Sequence, residues 1–147
     1  MMLSPHFSLA ELTLSQAATR KGLDNTPSEE ATDNLRRLAE RLEQVRSVLG
    51  KPVTISSGYR SPEVNEAIGG VPTSEHCDGR AADIICPAYG SPYQVAQAIY
   101  AAGIEFNQLI LEYGAWVHIS IPKCGRGPKM ETLTYRKGRA TVRGLVS

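Results

Sequence analysis

Ser74-Glu75-His76-Cys77-Asp78-Gly79-Arg80-Ala81-Ala82-Asp83-Ile84-Ile85 places a histidine, a glycine that permits a tight turn, two alanines and an aspartate at the head of an apolar run. Residues 81–86 read as a buried strand. Its alternation puts Ala81, Asp83 and Ile85 on one face and Ala82, Ile84 and Cys86 on the other. A carboxylate inside so apolar a strand is costly unless it is paired or bound to a metal. The small side chain of Ala81 leaves room beside it for an ion. On its own, His-x6-Asp fits a satisfied structural histidine with a capped or paired aspartate as well as it fits metal ligation.

A second stretch shifts that balance. Phe106 to Glu112 and Trp116 to Ile121 read as two strands of a hairpin around Gly114. Trp116, His118 and Ser120 alternate with Val117, Ile119 and Ile121, so His118 lies away from the apolar row. On the first strand Leu109 and Leu111 are the apolar row, and Gln108, Ile110 and Glu112 point the other way. Matching both apolar rows on one face needs an odd loop, Tyr113-Gly114-Ala115. That register sets Glu112 opposite Trp116 and diagonal to His118, on the same face. A two-residue loop would instead pair Leu111 with His118 and mix polar with apolar positions.

Two histidines and a carboxylate supply three protein ligands, a set that suits zinc with its fourth position open to water. Zinc lowers the pKa of that water to about 7 and polarises a carbonyl. A nearby carboxylate can take the proton and pass it to a leaving amine. Glu112 suits this role, and a solvated hairpin glutamate is the alternative. Ser56-Ser-Gly58-Tyr-Arg60-Ser-Pro62 runs from a strand through glycine into a proline-initiated helix. It fixes Arg60 on a short connection, where a planar guanidinium can meet a carboxylate or a developing oxyanion; without the other motifs, Arg60 reads as a surface arginine. His6 has no partners in sequence and reads as incidental.

Composition sets the outer bounds. The 147 residues suffice for one domain with a real core, at 41% hydrophobic and 21% charged content. A formal net charge of +1 gives no case for nucleic acid or a membrane surface as partner. Positive charge collects in Lys123, Arg126, Lys129, Arg136, Lys137, Arg139 and Arg143. A solvated tail explains it, and attraction to an anionic polymer such as cell wall is the other reading. Cys77, Cys86 and Cys124, odd in number and without CxxC spacing, argue against a disulfide framework and a cysteine metal site and read as reduced thiols. No apolar stretch approaches a membrane span, and Met1 to Ala10 lacks the layout of a signal peptide. The expectation is a monomer made in the cytoplasm, which another protein must let out if its substrate lies outside.

Along the chain, Ser8-Leu-Ala-Glu11 has capping-box spacing. Thr26-Pro27-Ser28-Glu29 reads as cap, first-turn proline and acidic third position of a longer helix, whose stripe is Leu35, Leu38, Leu42, Val45 and Leu49. Gly50 and Pro52 end it, and residues 53–56 read as a strand. Ser61-Pro62 and Ser91-Pro92 start two further helices, stopped by Gly69-Gly70 and Gly103. A last strand pair falls near residues 132–135 and 139–142. The expected architecture is one α+β domain over residues 1–147, an antiparallel sheet with flanking helices, its motif-bearing core at about residues 26–121.

SGYRSPEVN, SEHCDGRAADI and AWVHISI, in that order over residues 50–121, resemble the zinc D-Ala-D-Ala carboxypeptidases and related phage peptidoglycan endopeptidases. The opening SPHFSLAELTLSQAATRKGLDNTP is similar to the start of phage or prophage members. The resemblance implies a DD-peptidase-like mixed fold with an antiparallel sheet cradling one zinc ion, held by His76, Asp83 and His118. It also implies a substrate carboxylate or carbonyl at Arg60 and a bound peptide near Ser74. Gln108, on the polar face with Glu112, is a further expected substrate contact. Many relatives carry the base three residues before the last histidine, or a second histidine two before it. Those positions here are Ala115 and Trp116, which moves the base to Glu112. An acidic residue often seen in the preceding strand is Asn107 here, and Cys77 is an unusual neighbour for a ligand. The implied activity is hydrolysis of a peptidoglycan stem peptide, of L-Ala–D-Glu or D-Ala–D-Ala type, in a phage lysis or virion-associated role. The alternatives are a non-catalytic zinc-stabilised module binding cell-wall peptide or a partner protein, and a cytosolic dipeptidase.

Overall fold

Strand parity decides the architecture. In the computed structural model, which describes residues 1–147, the chain runs α1 (Leu9–Thr13), α2 (Gln16–Lys21), α3 (Glu29–Leu49), β1 (Thr54–Ser57) and α4 (Pro62–Ala67). A 3-10 turn (Glu75–Asp78) follows, then β2 (Ala81–Ile85), α5 (Pro92–Ala101), β3 (Gln108–Glu112), β4 (Trp116–Ser120), β5 (Glu131–Arg136) and β6 (Arg139–Arg143). The six strands form one sheet in the order β1-β2-β4-β3-β5-β6. One face presents Ala82, Ile84, Leu109, Val117 and Ile119, which join Leu35, Leu38, Leu42 and Val45 of α3 and Val95 and Ile99 of α5 in the core. Helices α3 and α5 thus cover this face, and the alternate residues of β2, β3 and β4 are left for the site.

The hairpin register follows the expected pattern. Leu109 pairs with Ile119, Leu111 with Val117 and Glu112 with Trp116, around a Tyr113-Gly114-Ala115 loop. β2 lies beside β4 with Asp83 directly opposite His118. The sheet departs from the antiparallel expectation at one place, where β3 and β5 run parallel. The cause is the strap of residues 121–130. It leaves β4 beside the start of β3 and enters β5 with Glu131 opposite Gln108, at that same end. Crossing β3 without travelling along it obliges β5 to run in β3's direction.

Local signals place the helices closely. The stripe of α3 is buried as its period requires. Its cap is Ser28, whose hydroxyl accepts from the Ala31 amide at 3.1 Å, rather than Thr26. Thr26 instead bonds the Asp24 carboxylate through both its amide and its hydroxyl, which folds the approach to the helix. Helix α2 adds to the elements that the sequence pattern predicts; Ser15 caps it and Gly22 closes it. His6 is committed to structure, its Nδ1 lying 2.7 Å from Glu43 of α3. All three cysteines are free.

The opening segment has a mechanical task. The Leu12 carbonyl accepts from the Tyr59 amide at 2.7 Å. Asn25 bonds the Tyr59 carbonyl through Nδ2 at 3.1 Å and the Ser61 amide through Oδ1 at 2.7 Å. Residues 12–25 therefore clamp both sides of Arg60.

Gly79 is a tight joint between the turn before β2 and helix α3. Its φ of +75° is left-handed, and a Cβ there would sit 2.5 Å from the Ala31 carbonyl of α3. Strain and collision act together, so Gly79→Ala is expected to cost about 2 kcal/mol or more in chemical denaturation. A loss below about 0.5 kcal/mol would show that α3 can move away from the turn.

Candidate active site

The polar face of β2, β3 and β4 forms the floor of a cavity of about 660 Å³ that includes Arg60, Ser74, His76, Asp83, Glu112 and His118 among its lining residues. One ligand atom from each of His76, Asp83 and His118 lies within 4.8 Å of the others, and all three residues are buried. His76 Nε2 and His118 Nδ1 each stand 3.3 Å from Asp83 Oδ1. That oxygen is buried and has no hydrogen-bond partner.

Each ring has its outer nitrogen held by an acceptor. His76 Nδ1 is 2.7 Å from the Gly58 carbonyl, which can only accept, so this nitrogen carries the proton and Nε2 turns a lone pair to the cluster. Gly58 belongs to the Arg60 loop, and the Arg60 amide returns the bond by donating to the His76 carbonyl at 3.1 Å. On His118, Nε2 faces Glu75 Oε1 at 3.2 Å, leaving Nδ1 turned inward. Two inward imidazole nitrogens and an unpartnered carboxylate oxygen converging from buried positions are, once deprotonated, the donor set of a divalent cation.

Charges around the cluster agree with this. Burial works to raise the Asp83 pKa, but the two imidazoles override it and hold the carboxyl well below the usual range. Burial works to lower the His118 pKa, yet Asp83 and Glu75 more than offset it and raise it to about 9. Glu112 Oε2 lies 3.8 Å from His118 Nδ1, on the cation side of the ring. Burial and the Asp83 charge push the Glu112 carboxyl up, making it a stronger base than an ordinary glutamate.

A peptidase M15 family model matches residues 5–120. The chain belongs to the peptidase M15 family. No curated protein matches it. M15 peptidases are zinc-dependent metallopeptidases, and zinc suits the His76, Asp83 and His118 group found here.

In this M15 peptidase the remaining expected residues sit as follows. Arg60 lines the cavity with its Nε buried and unpartnered. Ser74 caps the 3-10 turn, accepting from the His76 amide at 3.2 Å, and also borders the cavity. Gln108 lies at the rim with its Nε2 donating to Glu131 Oε1 at 2.6 Å, so part of its amide is already engaged. Cys77 is half-buried within the turn, its thiol pushed up by burial.

Sequence reasoning gave Glu75 no role, although it precedes a ligand. Besides His118, its carboxylate accepts from Asn107 Nδ2 at 2.8 Å and meets Arg80 NH1 at 3.4 Å. Burial works to raise its pKa, and His118 and Asn107 together lower it. Arg80 in turn grips Asp78 and the Ile121 carbonyl. Asn107, noted only as a departure from an acidic position, is the donor that aims Glu75. Sequence neighbours of a ligand point to opposite sides of a short helical turn, so only the fold brings Glu75 under the third ligand.

Two outcomes follow for zinc. Glu75→Ala is expected to weaken zinc binding by about 10–100-fold in competition with a chromophoric chelator, with Glu75→Gln intermediate; equal affinity in all three proteins would remove Glu75 from the ligand's support. Zinc must also displace the proton that His118 holds up to about pH 9 in the metal-free protein. Apparent affinity is therefore expected to rise with pH up to that value, and a flat profile between pH 7 and 9 would contradict it.

Proposed function

We propose that this M15 peptidase hydrolyses an amide bond of the peptidoglycan stem peptide, with His76, Asp83 and His118 holding one zinc ion and Glu112 acting as the proton carrier. The observation that carries the reading is the location of Glu112. It is partly buried in the cavity and stands on the inward-facing side of the His118 ring, whereas Glu75 is on the outward side. That location supports Glu112 over Glu75 as the group that meets a water on the ligands' open side.

Bound zinc supplies a Lewis acid that polarises the scissile carbonyl and acidifies a water. Glu112 takes the proton from that water and returns it to the leaving amine, a transfer favoured by its raised pKa. Arg60 presents a guanidinium whose Nε has no protein partner, fit for a substrate carboxylate or the oxygen that gains charge. The Ser74 hydroxyl can donate to the peptide while its oxygen caps the turn. Gln108 keeps its side-chain carbonyl for a peptide amide.

The bond is of L-Ala–D-Glu or D-Ala–D-Ala type, and the protein acts as a monomer on the wall after release, in phage lysis or within a virion. The similarity of residues 4–27 to phage members supports the last part. Digestion of purified peptidoglycan with and without chelator, followed by mass spectrometry of the new termini, tests the activity and names the bond. Cleavage that survives the chelator would remove zinc from the account. No cleavage by zinc-loaded protein would favour a binding module, and cleavage of free D-Ala-D-Ala alone a dipeptidase.

Glu112→Gln is expected to lower kcat by about 10²–10⁴-fold while zinc stays at one equivalent by metal analysis. Retained hydrolysis would move the base elsewhere.

A further inference from the structure

The strap that makes β3 and β5 parallel also forms one wall of the cavity. Lys123, Arg126 and Lys129 all line it, together with the zinc-binding group. All three are exposed, and none has a carboxylate within ion-pairing distance among the ion pairs of the molecule. The nearest acid in sequence, Glu131, is engaged by Gln108 at 2.6 Å. The other cations of the cavity differ. Arg80 is consumed by Asp78 and Glu75, and Arg60 belongs to the clamped loop.

The strap is tied at both ends, so its cations are held over the cavity rather than trailing in solvent. Arg37 NH2 donates to the Pro122 carbonyl at 2.7 Å, and the Ile121 amide donates to the Arg80 carbonyl at 2.9 Å. At the far end the Met130 amide reaches the Phe106 carbonyl at 3.0 Å, and the Lys129 amide approaches Asn107 Oδ1 at 3.4 Å. A turn between, with the Arg126 amide on the Lys123 carbonyl at 3.0 Å, folds its middle.

The near-neutral charge of the chain conceals this arrangement. Residues 113–147 carry seven lysines and arginines against one acid, Glu131, whereas residues 1–112 carry nine against fourteen. The strap also lies beyond residues 5–120, the part that the family model matches. It places unpaired positive charge beside the catalytic floor.

Resting on the peptidase reading above, we propose that Lys123, Arg126 and Lys129 form an anion subsite that receives substrate carboxylates outside the scissile amide, so that the enzyme prefers acidic stem peptides to their amidated forms. Stem peptides carry such groups at their D-glutamate and diaminopimelate residues, where a carboxylate and a carboxamide have nearly the same shape but differ by a full charge. Three exposed cations attract a carboxylate modestly and in a salt-dependent way. Placement on the cavity wall turns that attraction into discrimination between substrates.

The test uses zinc-loaded full-length enzyme and two muropeptides that differ only in having these carboxyls free or amidated. The free acids are expected to be cleaved with about tenfold higher kcat/KM, a difference of about 1.4 kcal/mol. In K123A/R126A/K129A the ratio should approach one, chiefly because KM for the free acid rises, with zinc content and thermal melting used to confirm folding. A second triple variant, K137A/R139A/R143A, removes the same charge from the exposed β5–β6 hairpin outside the cavity and should keep the preference. An equal loss of preference in both triple variants would overturn the subsite in favour of long-range attraction to an anionic polymer. Equal cleavage of both muropeptides by the wild type would overturn the subsite and leave the peptidase reading intact. Cleavage of neither would overturn both.

Discussion

The buried carboxylate of Asp83 is the constraint around which the site is built. A charged oxygen in the middle of a central strand is tolerable only where positive charge meets it, and Asp83 Oδ1 has no hydrogen bond of its own. The answer is two imidazoles at 3.3 Å, delivered from opposite directions. His118 comes from the adjacent strand, directly across the ladder, and His76 from the turn that precedes β2. A divalent cation between them satisfies all three groups at once, and a proton on His118 is its substitute in the metal-free protein.

That requirement spreads outward through hydrogen bonds. Each imidazole must turn its lone pair inward, so its other nitrogen must be held from outside. For His76 the holder is the Gly58 carbonyl, and the loop carrying Gly58 is clamped by Leu12 and Asn25 of the opening segment. The same clamp positions Arg60, which links this arginine of the cavity mechanically to His76 of the candidate metal group. For His118 the holder is Glu75, itself set by Asn107 and Arg80. Two glutamates thus flank one ring with opposite duties. Glu75 is held ionised by the donors around it, whereas Glu112, beside another carboxylate, is pushed towards the proton.

The sheet separates stability from chemistry by alternation alone. Helices α3 and α5 bury one face and leave the other open, so substitutions in the site need not disturb the core. The strap then raises a wall at the open face and adds Lys123, Arg126 and Lys129 to the lining of the cavity.

Much of this was legible in the chain. Apolar alternation in residues 81–86, 109–111 and 117–121 determined which face each strand buries, and with it the odd hairpin loop and the company of His118 and Glu112. Period 3.6 fixed the stripe of α3, and serine-proline pairs fixed two helix starts, because these signals arise from neighbours within one element. Tertiary structure alone decided the rest. Glu75 meets His118 across 43 residues of sequence, Gly58 meets His76 across 18, and the strap's three cations come to border a cavity whose floor is formed by other strands. No periodicity encodes such meetings, because they depend on where separate elements stop and on which side of the sheet a connection crosses.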